Sequence, residues 1–254
     1  MSKIPDDEVK LVLTSPPYYT IKDYGTKTQI GLGQSMSEYT QSLHEVWAEC
    51  VRVLHPGCKM VVNIGEQYLS AKTHGAYQVL PLHTNVIGSM QRLNMIPLGS
   101  IIWQKISNCS PSGGGSVMGS YPYPRNGIVT LDYEYVLIFK KPGTPPKIEN
   151  AVKEASKMSK EDWRRNFSGH WTFPGELSKG GHPAMFPVEL PRRVIQMYSF
   201  VGEKVLDPFL GSGTTLVAAD QLNRQGIGYE LNPEFKPLII KRCGDYMDLS
   251  FENE

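Results

Sequence analysis

Two strings in this chain hold residue types whose spacing could do chemistry. In Leu11-Val12-Leu13-Thr14-Ser15-Pro16-Pro17-Tyr18-Tyr19 an apolar run enters a loop with two consecutive prolines and an aromatic close. Each proline fixes φ and removes a backbone N–H. The loop therefore offers bare carbonyl acceptors at a set place, with the Ser15 hydroxyl on one side and the Tyr18 ring on the other. Acceptors beside a flat aromatic face suit a planar amine, although the string alone also fits a strand followed by a Pro-rich turn. The second string, Lys204-Val205-Leu206-Asp207-Pro208-Phe209-Leu210-Gly211-Ser212-Gly213-Thr214-Thr215-Leu216-Val217-Ala218-Ala219, reads as strand, glycine turn and helix. Gly211 and Gly213 let backbone approach a ligand closely. Thr214 and Thr215 are expected to cap the helix, whose free N–H groups favour a carboxylate or phosphate. It is not a P-loop, because no Lys follows the second glycine, nor a G-x-G-x-x-G site, because Leu216 stands at the third glycine. Alone it also fits a plain βα turn. Beyond it, Gly226 to Asn232 forms a short strand closing on Glu230, an acid placed to accept both hydroxyls of a ribose.

Together these strings resemble S-adenosylmethionine-dependent DNA methyltransferases that act on exocyclic amino groups. The Ser-Pro-Pro-Tyr motif precedes the Phe-x-Gly-x-Gly motif, an order similar to the permuted β class. The resemblance implies an α/β fold of the Rossmann-like class I methyltransferase type, with a mostly parallel central sheet, circularly permuted motif order and a small target-recognition insertion. It implies a catalytic loop of Ser15, Pro16, Pro17 and Tyr18. S-adenosylmethionine is expected to lie among Thr14, Asp207, Pro208, Phe209, Gly211, Ser212, Gly213, Thr214 and Glu230, with Asp245 facing the adenine. Tyr19, Lys22 and Tyr24 are expected to border the active site and His182 to be structural. Ser at the first motif position resembles cytosine-N4 enzymes, with adenine-N6 as the alternative. Carbon methylation is excluded, because it needs a Pro-Cys nucleophile and Cys109 is followed by Ser110-Pro111. Methylation of an amine in RNA or protein, and a non-catalytic nucleotide- or DNA-binding module, remain open.

The elements that must carry these loops are legible in outline. Ser35 and Glu38 form a capping box, and Met36, Tyr39, Leu43, Val46, Cys50 and Leu54 recur at helical spacing until His55-Pro56-Gly57. A strand is expected over Lys59 to Ile64. A helix over Tyr77 to Leu93, with Pro81 in its first turn, and a strand over Gly99 to Lys105 read as a further βαβ step, with Trp103 either near the site or in the core. Asn108 to Asn126 is a long Ser/Gly/Pro/Tyr loop, and Leu131 to Lys141 is again β. Helices are expected over Val188 to Phe200, after the glycine turn, and after Phe235. Residues 1–141 thus form the catalytic half and 182–254 the cofactor half. Residues 142–181 are the target-recognition insertion, where Lys153, Lys157, Arg164 and Arg165 among interleaved aromatics are the DNA-binding candidates.

Composition sets the outer bounds. The chain has 254 residues, with 26 Lys+Arg against 25 Asp+Glu and net charge +1, so nucleic-acid affinity must come from local clusters. Cys50, Cys58, Cys109 and Cys243 lack C-x-x-C spacing, and the histidines form no ligand pattern with them, so no metal is expected. No apolar run approaches membrane-spanning length, and a cytoplasmic location is expected. The partners implied are double-stranded DNA, with the target base extruded, and a cognate restriction endonuclease. Nothing in the sequence sets the oligomeric state.

Overall fold

The strand expected around Leu11 is β1 (Val9–Thr14), and it lies inside the sheet. The structure, a computed structural model, describes residues 1–19, 25–26, 28–106, 121–176 and 186–244. Among them the chain continues through α1 (Met36–Val53), β2 (Leu54–Ile64) and a hairpin of β3 (Gln67–Leu69) and β4 (Gln78–Leu80) with short α2 (Ala71–His74) between. There follow α3 (Leu82–Arg92), β5 (Ile96–Ile106), β6 (Tyr133–Lys140), α4 (Asn150–Ala155), α5 (Lys160–Asn166) and β7 (His170–Pro174). The last elements are α6 (Glu189–Tyr198), β8 (Lys204–Asp207), α7 (Thr214–Gln221), β9 (Gln225–Gly228) and α8 (Lys236–Cys243). The seven-stranded sheet has the order β7-β5-β6-β2-β1-β8-β9. All its strands except β6 run parallel. The ends of β1, β2, β5, β7, β8 and β9 and the start of β6 therefore share one edge, the carboxyl edge.

Period-two alternation decides which helices cover which face. Val12, Met60, Val62, Leu137 and Phe139 pack toward α1 and α3, while Leu11, Leu13, Val61, Val136 and Ile138 pack toward α6 and α7. Val9 joins the α1 side because pairing with β2 slips between Val9 and Leu11. Each such side chain taken fully from water contributes about 1.5–3 kcal/mol. The helix after β1 covers one face and the helix after β8 the other. The crevice between these neighbouring strands opens at the carboxyl edge, where open α/β sheets bind ligands.

The structure refines several expectations. The Ser35/Glu38 capping box is present, and α1 buries Tyr39, Leu43, Trp47, Cys50 and Val53. The periodicity does not pick out Trp47. Strand β2 starts at Leu54, immediately after the helix, and passes His55-Pro56-Gly57 because Gly57 sits at φ +80°, close against Pro145. Tyr77 to Leu80 is not helical: Gln78–Leu80 pairs with Gln67–Leu69, and Pro81 stands as the N-cap of α3. Strand β5 does follow α3, but antiparallel β6 separates it from β2, so no simple βαβ step forms. Trp103 is a core residue whose indole N–H donates to the Phe173 carbonyl at 3.1 Å.

Residues 142–176 do not stand apart from the sheet. Strand β7 pairs in parallel with β5, and Trp171 and Phe173 enter the same core as α6. Trp171 is 1% exposed, its indole N–H donates to the Asn166 carbonyl at 3.0 Å, and the Arg193 guanidinium lies over its ring. Trp171→Ala should therefore destabilise the whole fold by about 3–5 kcal/mol in one cooperative transition. Trp163→Ala, at an exposed ring, should cost less than about 1 kcal/mol. Urea unfolding followed by circular dichroism checks this; an early separate transition in Trp171→Ala would show 142–176 to be an independent unit.

Candidate active site

The loops leaving β1 and β8 wall one cavity of about 370 Å³. Ser15, Pro16, Pro17 and Tyr18 line one side; Pro208, Phe209, Gly211, Ser212, Thr214 and Glu230 line the other. The two strings that carry chemistry thus meet, although nearly two hundred residues separate them.

Asp207, the last residue of β8, holds them together. Its carboxylate is fully buried and accepts from the Thr14 hydroxyl at 2.7 Å, the Thr215 hydroxyl at 2.5 Å and the Phe209 N–H at 3.1 Å. Burial pushes this carboxyl up to about 6, opposed by the bonds from Thr215, Thr14 and Phe209 and reinforced by the charge of Glu230. Asp207, Thr14 and Gly213 lie beneath the cavity rather than on its wall. Thr215 does not cap α7: the N-cap is Gly213 at φ +84° with no side-chain cap, and the Thr215 hydroxyl is spent on Asp207.

Glu230, two residues past β9, reaches back to the glycine turn. One carboxylate oxygen accepts from the Gly211 N–H at 2.8 Å and the other from the Asn232 N–H at 2.8 Å. Burial raises its carboxyl above the ordinary range, and the N–H groups of Asn232, Gly211 and Leu231 oppose that rise. Gly211 sits at φ +56°, a conformation that a side chain disfavours. Three N–H donors leave the Glu230 carboxylate with acceptor capacity for a ligand hydroxyl.

The loop after β1 is pinned twice at its far end. The Tyr39 hydroxyl on α1 donates to the Pro17 carbonyl at 2.9 Å, and the Tyr18 hydroxyl accepts from the Gly65 N–H at 3.0 Å at the end of β2. A Cβ at Gly65 would lie 3.4 Å from the Tyr18 hydroxyl and 3.1 Å from Glu134 Cγ. Glu134 is itself held by Asn63 at 2.6 Å and by the Lys105 ammonium. On the cofactor side Trp47 meets Phe209 edge-on at 5.8 Å between ring centroids.

These observations can be set beside known proteins. A family described as DNA methylase, of N6/N4 methyltransferases, matches residues 9–241. The Type II methyltransferase M.MjaI of Methanocaldococcus jannaschii is 37% identical, with 96% of this chain and 88% of that protein covered. The DNA modification methylase TTHA0409 of Thermus thermophilus, solved with S-adenosylmethionine, superposes with TM-score 0.80 at 32% identity, covering 98% of this chain and 90% of that one. The chain belongs to the N6/N4 DNA methylase family. The PvuII cytosine-N4-specific methyltransferase, at 22% identity and TM-score 0.68 over 99% of this chain and 84% of that one, shares the fold. The fold is that of S-adenosylmethionine-dependent methyltransferases, and S-adenosylmethionine is the cofactor.

The methylase's cavity suits that cofactor: its volume matches a nucleoside-sized ligand, and an acid and close-approach glycine backbone stand on one wall. Phe186, in the His-Pro-Ala-x-Phe-Pro string that resembles the family segment around the methionine end of the cofactor, is also on the cavity wall. Sequence reasoning named no role for Thr26, Thr28, Gln29, Ile30, Tyr229, Leu231 and Asn232, which line it too. Helical periodicity marks Tyr39 as core only; its hydroxyl role needs the fold. Tyr19 packs against the Tyr39 ring at 5.4 Å and does not line the cavity. Asp245, Lys22, Tyr24 and His182 lie outside the described residues.

The structure does not bring Lys153, Lys157, Arg164 and Arg165 to the cavity. Strand β6 ends on the amino edge, where the Lys141 N–H donates to the Cys58 carbonyl and the Ser156 hydroxyl accepts from the Val201 N–H at 2.9 Å. From there α5 packs on the last turn of α6, through Asn166 on Gln196 at 3.1 Å and Phe167 on Tyr198. Lys157 pairs with Glu154 at 3.1 Å and Arg165 with Asp162 at 2.5 Å. Among the described residues no cluster could hold a metal ion, and no helix is long and apolar enough to cross a membrane.

Two outcomes are expected of this geometry. Gly211→Val and Glu230→Ala should each weaken S-adenosylmethionine binding at least tenfold, measured by calorimetric titration, with Gly211→Val the more damaging. A folded Gly211→Val protein with parental affinity would remove the glycine turn from the site. The second concerns Asp207. Its folded carboxyl binds a proton more tightly than an unfolded one, whose ordinary value is about 4. Between about pH 4 and pH 6 the folded state keeps a proton that the unfolded chain has lost. Stability from this group therefore falls as pH rises through that window and is flat above it. Asp207→Asn should abolish that component, read as the difference between parent and variant urea midpoints at pH 4.5 and 7; equal pH slopes would assign the titration elsewhere.

Proposed function

We propose that this methylase transfers a methyl group to the exocyclic N4 of cytosine in duplex DNA, as a β-class enzyme in the cytoplasm, alongside a cognate restriction endonuclease that cuts the same site. The observation that carries the reading is the single cavity shared by the Ser15-Pro16-Pro17-Tyr18 loop and the glycine turn with Glu230. Support for DNA as substrate comes from the family, and support for a restriction partner from relatives named as Type II methyltransferases. The first motif position, Ser15, resembles cytosine-N4 enzymes, while Asp or Asn there is usual for adenine-N6 enzymes. The permuted order of catalytic strand β1 before cofactor strand β8 supports the β class.

When bound, S-adenosylmethionine supplies a methyl group activated on a sulfonium, so no enzyme nucleophile is needed. Pro208, Phe209, Gly211, Ser212, Thr214 and Glu230 would hold it, Glu230 through the ribose hydroxyls. The remaining task is alignment. An amine inside a stacked duplex cannot reach the cavity, so the target base must leave the helix. Tyr18, fixed through its hydroxyl to Gly65, stacks on the extruded ring. The Ser15 hydroxyl and the Pro16 carbonyl accept from the amino group and turn the nitrogen lone pair toward the methyl carbon. The Pro17 carbonyl is already engaged by Tyr39, which leaves Pro16 as the proline acceptor for substrate.

Tyr18→Ala should lower single-turnover methylation at least a hundredfold while cofactor affinity changes little. Ser15→Ala should slow transfer by about 1–3 kcal/mol, the range for an acceptor removed from a buried amine. The measurement is single-turnover transfer from labelled cofactor to mixed-sequence duplex DNA, with nucleoside analysis of the product. Parental rates in both variants would reduce the loop to a turn. N6-methyladenine in place of N4-methylcytosine would keep the chemistry and overturn the choice of base.

A further inference from the structure

We propose that the β3–β4 hairpin, together with the stretch 121–132 that leans on it, is the surface on which this methylase holds the phosphate backbone of duplex DNA beside the catalytic loop. The inference rests on the DNA-methylating reading and deepens it by locating the face that binds DNA. Topology supplies the first observation. The hairpin leaves β2 at its carboxyl end, directly after Gly65, whose N–H donates to the Tyr18 hydroxyl. The stretch 121–132 enters β6 at the same edge, opposite the end of β2, with Tyr135 paired to Ile64. The two segments are joined, because the Tyr68 hydroxyl on β3 donates to the Val129 carbonyl.

Charge supplies the second. In residues 65–80 and 121–132 the cations Lys72 and Arg125 are exposed. The acids are Glu66, buried against His83, and Asp132, which is only half-exposed. Lys72 and Arg125 equal Glu66 and Asp132 in number, but both cations are exposed and neither acid is fully so, so the charge this surface turns outward is positive, as a polyanion requires. Exposed aromatics accompany the cations: Tyr77 is 67% and Tyr121 77% exposed, on the edge where an extruded base must leave its stack. Helices α4 and α5 present the opposite case. Lys157, between them, and Arg165, on α5, each pair with an acid, Glu154 and Asp162; Lys153, Lys160 and Arg164 are exposed, but α5 packs on the last turn of α6 at the amino edge, which places these cations away from the cavity. A duplex touching only that face could not deliver a base to Tyr18.

The test is DNA affinity across a salt series, using the full chain with S-adenosylmethionine and a mixed-sequence duplex. The slope of log affinity against log salt becomes shallower by about 0.9 for each phosphate left without its cation. Lys72→Ala/Arg125→Ala should therefore flatten the slope by about two and leave cofactor affinity and urea midpoint unchanged. Tyr77→Ala should weaken binding while keeping the parental slope. Arg164→Ala/Arg165→Ala should leave the slope as it is. An unchanged slope in Lys72→Ala/Arg125→Ala, or a flattened one in Arg164→Ala/Arg165→Ala alone, overturns the assignment while parental methylation of DNA still upholds the function. A parent protein that binds and methylates no duplex DNA overturns both.

Discussion

The buried carboxylate of Asp207 is the joint on which the site depends. An ionised group without water is costly unless donors surround it, and here the donors come from three places: the last residue of β1, the first turn of α7 and the backbone after β8. Satisfying one carboxylate therefore fixes β1, β8 and the helix behind the glycine turn against one another. Thr14 and Asp207 are 193 positions apart in sequence. No local propensity could set their spacing, whereas a short hydrogen bond in a dry interior tolerates little drift.

From that joint outward, each loop on the cavity wall is held by hydrogen bonds to groups outside it. Tyr39, planted on a capped helix, engages the Pro17 carbonyl, and the Gly65 N–H engages Tyr18. Proline has already removed φ freedom from the same loop, so two hydrogen bonds suffice to make it stiff. Glu230 does the equivalent on the other wall by accepting from Gly211. Such stiffness matters because methyl transfer from an activated donor is limited by alignment, and an alignment error of about 1 Å can cost a hundredfold in rate. Parallel strands also send every βα loop to one edge. The amino edge carries α4 and α5, where Lys157 and Arg165 each sit beside an acid.

The sequence, read without a fold, contained both chemical strings, the capping box of α1, the glycine turn, the acid after β9 and the permuted order of the motifs. These were legible because each depends on local chemistry: proline and glycine fix backbone, a cap satisfies a helix end, and alternation marks a strand. Other features were not local. That Gln78–Leu80 is a strand follows from its pairing with β3, and that Trp171 belongs to the core follows from β7 joining β5. The Thr215 hydroxyl reads as a helix cap until the structure turns it to Asp207.

The clearest division concerns charge. A count of lysines and arginines marks 142–181 as basic, but whether a cation meets DNA depends on the edge of the sheet to which its element is tied and on the acids beside it. Strand β6, running against its neighbours, carries α4 and α5 to the amino edge, and that reversal leaves no mark in composition. Sequence alone determined the chemistry this protein has available, because residue type and near-neighbour spacing set acceptors, stacking faces and backbone freedom. Tertiary structure alone decided which of those groups share a cavity and to which edge of the sheet each basic segment is tied, because strand order and direction arise from pairings between residues far apart in the chain.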